Sequence, residues 1–135
     1  MEKVVVNVGM TENNYSASVI IGDGIAVATG KTFEELKLQM AEAVESNLEV
    51  SREYGDEIPA IFDGEYELVY KFYPEDLLRH YEGIFTHAAL ERLTGINQRQ
   101  LQRYAIGKSK PRRTQAEKIA KSFHHLGKEL LAVEL

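Results

Sequence analysis

The chain has no cysteine among its 135 residues. Disulfides, thiolate metal sites and cysteine nucleophiles are thereby excluded, and a reducing compartment is compatible with everything else. Long apolar runs are also missing. A membrane-spanning helix needs about 20 apolar residues, and the opening MEKVVVNVG is broken at Asn7 before a signal-peptide core can form. The expectation is a cytoplasmic protein with no membrane partner. Low-complexity tracts and internal repeats are absent as well. Acidic residues are scarce in one region only. Residues 83–135 hold Glu91, Glu117, Glu129 and Glu134 against ten Lys/Arg, a balance of +6, whereas residues 1–82 hold six Lys/Arg against seventeen Asp/Glu, a balance of −11. The overall charge of −5 conceals this division. A basic C-terminal part suits a polyanion, and an acidic N-terminal part suits either a basic protein or plain solvation.

With 44% hydrophobic and 27% charged residues, the composition is that of a folded globular chain. Its length allows one ordinary domain or two very small ones, and two minimal domains need support from each other or from dimerisation. Residues 3–9, 14–21 and 25–29 read as strands. Tyr15, Ala17, Val19 and Ile21 fall on one face and Ser16 and Ser18 on the other, an alternation of period two. Thr11-Glu12-Asn13-Asn14 joins the first pair, and Gly22-Asp23-Gly24 makes a tight hairpin turn between the second and third. Thr32 and Glu35 form a capping-box pattern ahead of Phe33, Leu36, Met40, Val44 and Leu48, whose spacing is helical. Tyr66, Leu68, Tyr70 and Phe72 mark a fourth strand. The predicted order is βββαβ, four antiparallel strands with one crossing helix. Pro74 ends the strand pattern, and only short helices follow. The predicted fold class is therefore α+β, with a sheet domain over 1–73 and an all-α domain over 74–135.

The stretch from Thr86 to Pro111 carries the most information. Thr86 can cap a helix with Ala89, Leu90 and Leu93 inward, Gly95 can supply a left-handed residue for a sharp turn, and Asn97 can cap a second helix. With Leu101 and Tyr104 inward, Gln98, Arg99, Gln102 and Arg103 are left on the outer face. Amide and guanidinium groups are the ones that read base edges in a major groove. Thr86, Lys108, Lys110, Arg112 and Arg113 are placed to contact phosphate. Thr114 is expected to cap a last helix with Ala116, Ile119, Ala120, Phe123 and Leu126 inward. The alternative is a helical oligomerisation domain with merely solvated basic residues, which leaves the lack of acid on the outer face of the second helix unexplained.

The spacing of Leu90, Gly95, Ile96, Leu101, Gly107 and Pro111 resembles the phage-repressor-like (Cro/cI, or XRE) helix-turn-helix family over roughly residues 75–127. The resemblance implies base contacts from Gln98, Arg99 and Gln102 and phosphate contacts near Thr86, on a double-stranded DNA operator. His87 stands where that family usually has a phosphate-contacting glutamine, and Ala105 where many members have an acid.

In the N-terminal part, Val4-Val5-Val6, Asn14-Tyr15-Ser16-Ala17, residues 28–35 (ATGKTFEE) and Asp56-Glu57-Ile58-Pro59 are similar to the HicB antitoxin family. That resemblance implies a partial RNase H-like domain joined to a DNA-binding domain. Its function would be to mask HicA, a small basic ribonuclease toxin that cleaves messenger RNA, and to repress the shared operon as a homodimer or higher homo-oligomer. Glu35, Glu42, Glu45 and Glu49 on the helix, with Asp56 and Glu57 in the loop, are the candidate toxin-binding residues. The other reading of these acids is ordinary solvation. RNase H-type chemistry needs converging carboxylates on metal ions, but Asn7, Ser16 and Ser18 occupy the strand positions. His80, His87, His124 and His125 show no ligand spacing. No catalytic residue, metal or cofactor is expected. The residues also leave open a stand-alone regulator whose sheet domain senses a small ligand.

Overall fold

A computed structural model describes residues 1–11 and 13–135. The fold is α+β, with one four-stranded mixed sheet and five α-helices among the described residues. The chain divides into two compact units, Met1–Phe72 and Tyr73–Leu135. No helix among the described residues is long and apolar enough to cross a membrane.

The first unit runs β1 (Glu2–Met10), β2 (Tyr15–Ile21), β3 (Gly24–Gly30), α1 (Phe33–Glu53) and β4 (Tyr66–Phe72). Of the connection foreseen between β1 and β2, Glu12 lies outside the described residues; Thr11 N–H donates to the Asn14 carbonyl at 2.8 Å. Gly22 turns the β2–β3 hairpin at φ 60°, a conformation with no steric penalty for glycine. The sheet order is β3-β2-β1-β4. Val8 faces Ala17 and Val19 faces Ala26 in the two antiparallel ladders.

The expectation of four antiparallel strands is wrong for β4, which pairs in parallel with β1, Val4 opposite Leu68 and Val6 opposite Tyr70. The reason lies in the connection. A short hairpin forces antiparallel pairing, whereas a crossover of a dozen or more residues permits a parallel neighbour. Here the 21 residues of α1 carry the chain from the β3 edge to the far edge beside β1.

α1 starts where the sequence marks it. The Thr32 Oγ1 accepts from Glu35 N–H at 3.1 Å, and Glu35 Oε2 accepts from Lys31 N–H at 3.2 Å. Leu36, Met40, Val44 and Leu48 are fully buried against Val4, Val6, Val8, Ala17, Val19 and Ile21. Each large aliphatic group so buried contributes roughly 1.5–3 kcal/mol. Phe33 closes one end of this core edge-on to Tyr70 and Phe72, with ring centroids 5.4 and 5.3 Å away. The opposite sheet face, with Val5, Ile20, Ile25 and Val27, is exposed.

The second unit contains α2 (Pro74–His80), α3 (His87–Thr94), α4 (Gln98–Ala105) and α5 (Arg113–Ala132). Pro74 sits in the first turn of α2, where its missing N–H costs nothing. Leu78, Leu90, Ile96, Leu101, Tyr104 and Ile119 form the core, flanked by Phe85 and Phe123. One expected cap is absent. α5 begins at Arg113, its N-cap position is Arg112 in extended conformation with no side-chain cap, and Thr114 lies inside the first turn. Arg112, Arg113 and Thr114 are all exposed, so water can satisfy the leading N–H groups and the helix can start before the threonine.

Gly30 fixes the seat of α1 on the sheet. A β-carbon there would stand 2.6 Å from Leu36 N and 3.0 Å from its Cα, and neither backbone atom can move without shifting the helix. Gly30→Ala is therefore expected to lower the opening free energy of β2 and β3 amides by about 1–3 kcal/mol, read by native-state hydrogen exchange. Unchanged exchange would mean that the helix start has room to slide.

Candidate nucleic-acid interface

α3 and α4 are joined by a three-residue turn whose closure is built from hydrogen bonds. Thr86 Oγ1 accepts from Ala89 N–H at 3.0 Å and starts α3. Gly95 ends it at φ 73°, with its N–H on the Glu91 carbonyl at 2.7 Å. The buried Thr94 hydroxyl donates to the Leu90 carbonyl at 2.8 Å and accepts from Ile96 N–H at 3.1 Å. Asn97 Oδ1 then accepts from Arg99 N–H at 2.9 Å and starts α4. Both caps and the left-handed glycine stand where the sequence places them.

α4 buries Leu101, Tyr104 and Ala105. Arg99, Gln102 and Arg103 are exposed, and Gln98 is half-buried at the edge next to α3. Ala105 is only 2% exposed, so an acid there would have to be desolvated. His87, Glu91, Asn97, Gln98, Arg99 and Gln102 line one surface hollow. His87 also lies 3.7 Å from a Glu82 carboxylate oxygen.

Among the expected phosphate contacts, Thr86, Lys108, Lys110, Arg112 and Arg113 are all exposed. Lys108, Lys110 and Arg112 lie in the segment between α4 and α5, while Arg113 opens α5 and shares its guanidinium with Glu117 at 3.2 Å. Gly107, at φ 80°, is the second residue of that segment, and Ser109 is tied back to α4 by the Gln100 amide at 3.3 Å. The result is a face of amides and guanidinium groups with lysines at its border, suited to hydrogen bonding with planar acceptors and to attracting polyanions.

Two residues of this region escaped the sequence reading. Thr94 carries no signal beyond its place before Gly95. Glu91 reaches from α3 to α4, where Oε1 accepts from Gln98 N–H and Oε2 from Gln98 Nε2, both at 3.2 Å. A contact seven residues apart across a turn obeys no helical spacing rule, so nothing local announces it.

In the first unit, Glu35, Glu42, Glu45 and Glu49 lie on α1 and are exposed. Their spacings of three, four and seven put them on one helix face, with Glu53 continuing it. Two of the four have other partners. Glu35 belongs to the helix cap, and Glu45 accepts from the Tyr66 hydroxyl at 2.5 Å. Burial first, and then that hydrogen bond, push the Tyr66 phenol up to about 12. Asp56 and Glu57 follow α1 in an exposed loop. Asp56 N–H is bound to the Ser51 carbonyl at 2.9 Å, and the Glu57 carbonyl lies by the β2–β3 turn, 3.7 Å from where a β-carbon at Gly22 would stand. Among the described residues no three His, Asp or Glu side chains converge as a metal site requires.

Comparison with family models, with curated proteins and with solved structures returns no match for this chain.

Loss of the α3 cap should be local. Thr86→Ala is expected to destabilise α3 by about 0.5–2 kcal/mol, measured as faster amide exchange at Ala89 and Leu90, with the β1–β2 amides unchanged. An effect of equal size at the β1–β2 amides would mean that the loss is not confined to α3.

Proposed function

We propose that the second unit is a phage-repressor-like helix-turn-helix domain that reads double-stranded DNA with α4, and that the whole chain is a HicB-type antitoxin and autorepressor. The observation that carries the DNA reading is the exposed α4 face. Arg99, Gln102 and Arg103, with Gln98 at its edge, project from a helix held by a left-handed glycine turn and two side-chain caps. Such a helix enters a major groove with its N-terminal residues on base edges. Thr86 at the α3 N-terminus, with Lys108, Lys110, Arg112 and Arg113, would hold the phosphates and set the register.

For the first unit the support is charge and architecture. Met1–Phe72 holds five Lys/Arg against fourteen Asp/Glu, a balance of −9, while Tyr73–Leu135 holds eleven against seven, a balance of +4. The acidic helix face of Glu42, Glu45, Glu49 and Glu53 suits a basic protein partner such as a small ribonuclease, whose RNA-binding surface it would cover. A sheet of βββαβ order crossed by a single helix fits the partial RNase H-like domain of the resemblance. A homodimer or higher homo-oligomer follows from the DNA reading, since such domains bind paired half-sites with matching symmetry.

Electrophoretic shifts at two salt concentrations, on sequences selected from a random duplex library, test the DNA reading. Arg99→Ala is expected to weaken binding to the selected sequence by about 1–3 kcal/mol while leaving random DNA nearly unaffected. Lys110→Ala should weaken both and reduce the salt slope by about 1. Salt-insensitive or absent association would refute the reading. Purification of the tagged chain from its native cell tests the partner: a small basic protein in stoichiometric amount is expected, and recovery of the chain alone would remove the antitoxin assignment.

A further inference from the structure

Among the described residues Glu91 is the one acidic side chain lining the hollow at the start of α4. Both of its oxygens are engaged by a single residue, Oε1 by the Gln98 backbone N–H and Oε2 by the Gln98 side-chain Nε2. A carboxylate accepts hydrogen bonds and cannot donate them. The nitrogen end of the Gln98 amide must therefore face Glu91, an orientation that follows from the chemistry of the pair whichever way the amide is drawn. One Nε2 proton is spent on Glu91. The other Nε2 proton and the Oε1 acceptor remain to face outward, one donor beside one acceptor.

That pair of groups complements adenine, which offers the N7 acceptor and the N6 donor in the major groove, and mismatches guanine, which offers two acceptors at N7 and O6. We infer that Glu91 is a specificity-positioning residue: it locks the Gln98 amide in the orientation that selects adenine over guanine at one base pair of the DNA site. The inference rests on the proposed DNA reading of α4. Glu91 makes no base contact itself. It acts through Gln98, whose backbone position it holds by one oxygen and whose amide it orients by the other.

A purely structural Glu91 would serve only as an extra cap for α4, beside Asn97 on Arg99 N–H. The two roles separate on substitution. In Glu91→Gln the new amide can still accept from Gln98 N–H through its oxygen, so the cap survives. Its nitrogen, however, now faces the Gln98 side chain and donates. The Gln98 amide must turn over to accept, which leaves both Nε2 protons outward, the pattern that suits the two acceptors of guanine.

The test is selection of bound sequences from a random duplex library by the full-length wild type, Glu91→Gln, Glu91→Ala and Gln98→Ala, with enrichment read at each position. The expected result is an adenine preference at one position in the wild type that Gln98→Ala and Glu91→Ala both lose, other positions being kept. At that same position Glu91→Gln should switch the preference toward guanine by at least tenfold relative to wild type. The salt slope should be the same for all four, because no phosphate contact is touched. A structural role alone would lower enrichment evenly and switch nothing. If Gln98→Ala erases a position that both Glu91 variants read as the wild type does, the inference falls and the DNA reading stands. If the wild type enriches no sequence, the DNA reading falls and takes the inference with it.

Discussion

The placement of α4 depends on how the chain is closed between Leu90 and Asn97. Thr94 is buried, and its hydroxyl is satisfied on both sides, by the Leu90 carbonyl and by Ile96 N–H. A buried hydroxyl left without a partner costs about 1–3 kcal/mol, so the turn has a strong preference for the one geometry that satisfies both bonds. Gly95 adopts the positive φ that lets the chain reverse within that geometry. Ile96 then drops into the same core as Leu90 and Leu101. Hydrogen bonding and packing thus fix one angle between α3 and α4, and every side chain on the outer face of α4 inherits its direction from that angle.

What the sequence made legible was whatever is decided within four residues. The caps at Thr32, Thr86 and Asn97 and the left-handed Gly95 are local contests between backbone and side chain, and each was won as expected. The inward stripe of α1 follows from helical period alone. Thr114 shows the limit of this kind of reading. The helix starts one residue ahead of it, at Arg113, where the exposed leading N–H groups can be satisfied by water. The direction of β4 lay further out of reach, because side chains alternate alike in parallel and antiparallel strands. Only the crossover by α1 distinguishes the two cases. Glu91 was the least visible of all, since its partner is brought to it by the turn.

Among the acids of α1 the structure sorts what composition could not. Glu35 serves the helix start, and Glu45 is held by Tyr66. Glu42, Glu49 and Glu53 are exposed on the same helix face, opposite the buried row of Leu36, Met40, Val44 and Leu48. A protein partner meeting this face would desolvate the free carboxylates first, and those are the ones able to turn toward an incoming lysine or arginine. Glu45 would have to exchange one hydrogen bond for another, which brings little net gain.

A carboxylate at a surface proposed to meet phosphates needs a physical account, since like charge there opposes association. Glu91 meets that requirement by its position. It is half-buried, and both oxygens accept hydrogen bonds from Gln98. It also lies at the N-terminus of α4, where the aligned peptide dipoles carry about half a positive charge. Much of its field is therefore cancelled locally, within a single turn. Among the described residues the exposed Arg99, Arg103, Lys108 and Lys110 form no salt bridge, and their charge reaches over a Debye length of about 8 Å at physiological salt. Glu91 thus orders the Gln98 amide while the exposed cations around α4 stay available to the phosphates of the proposed DNA partner.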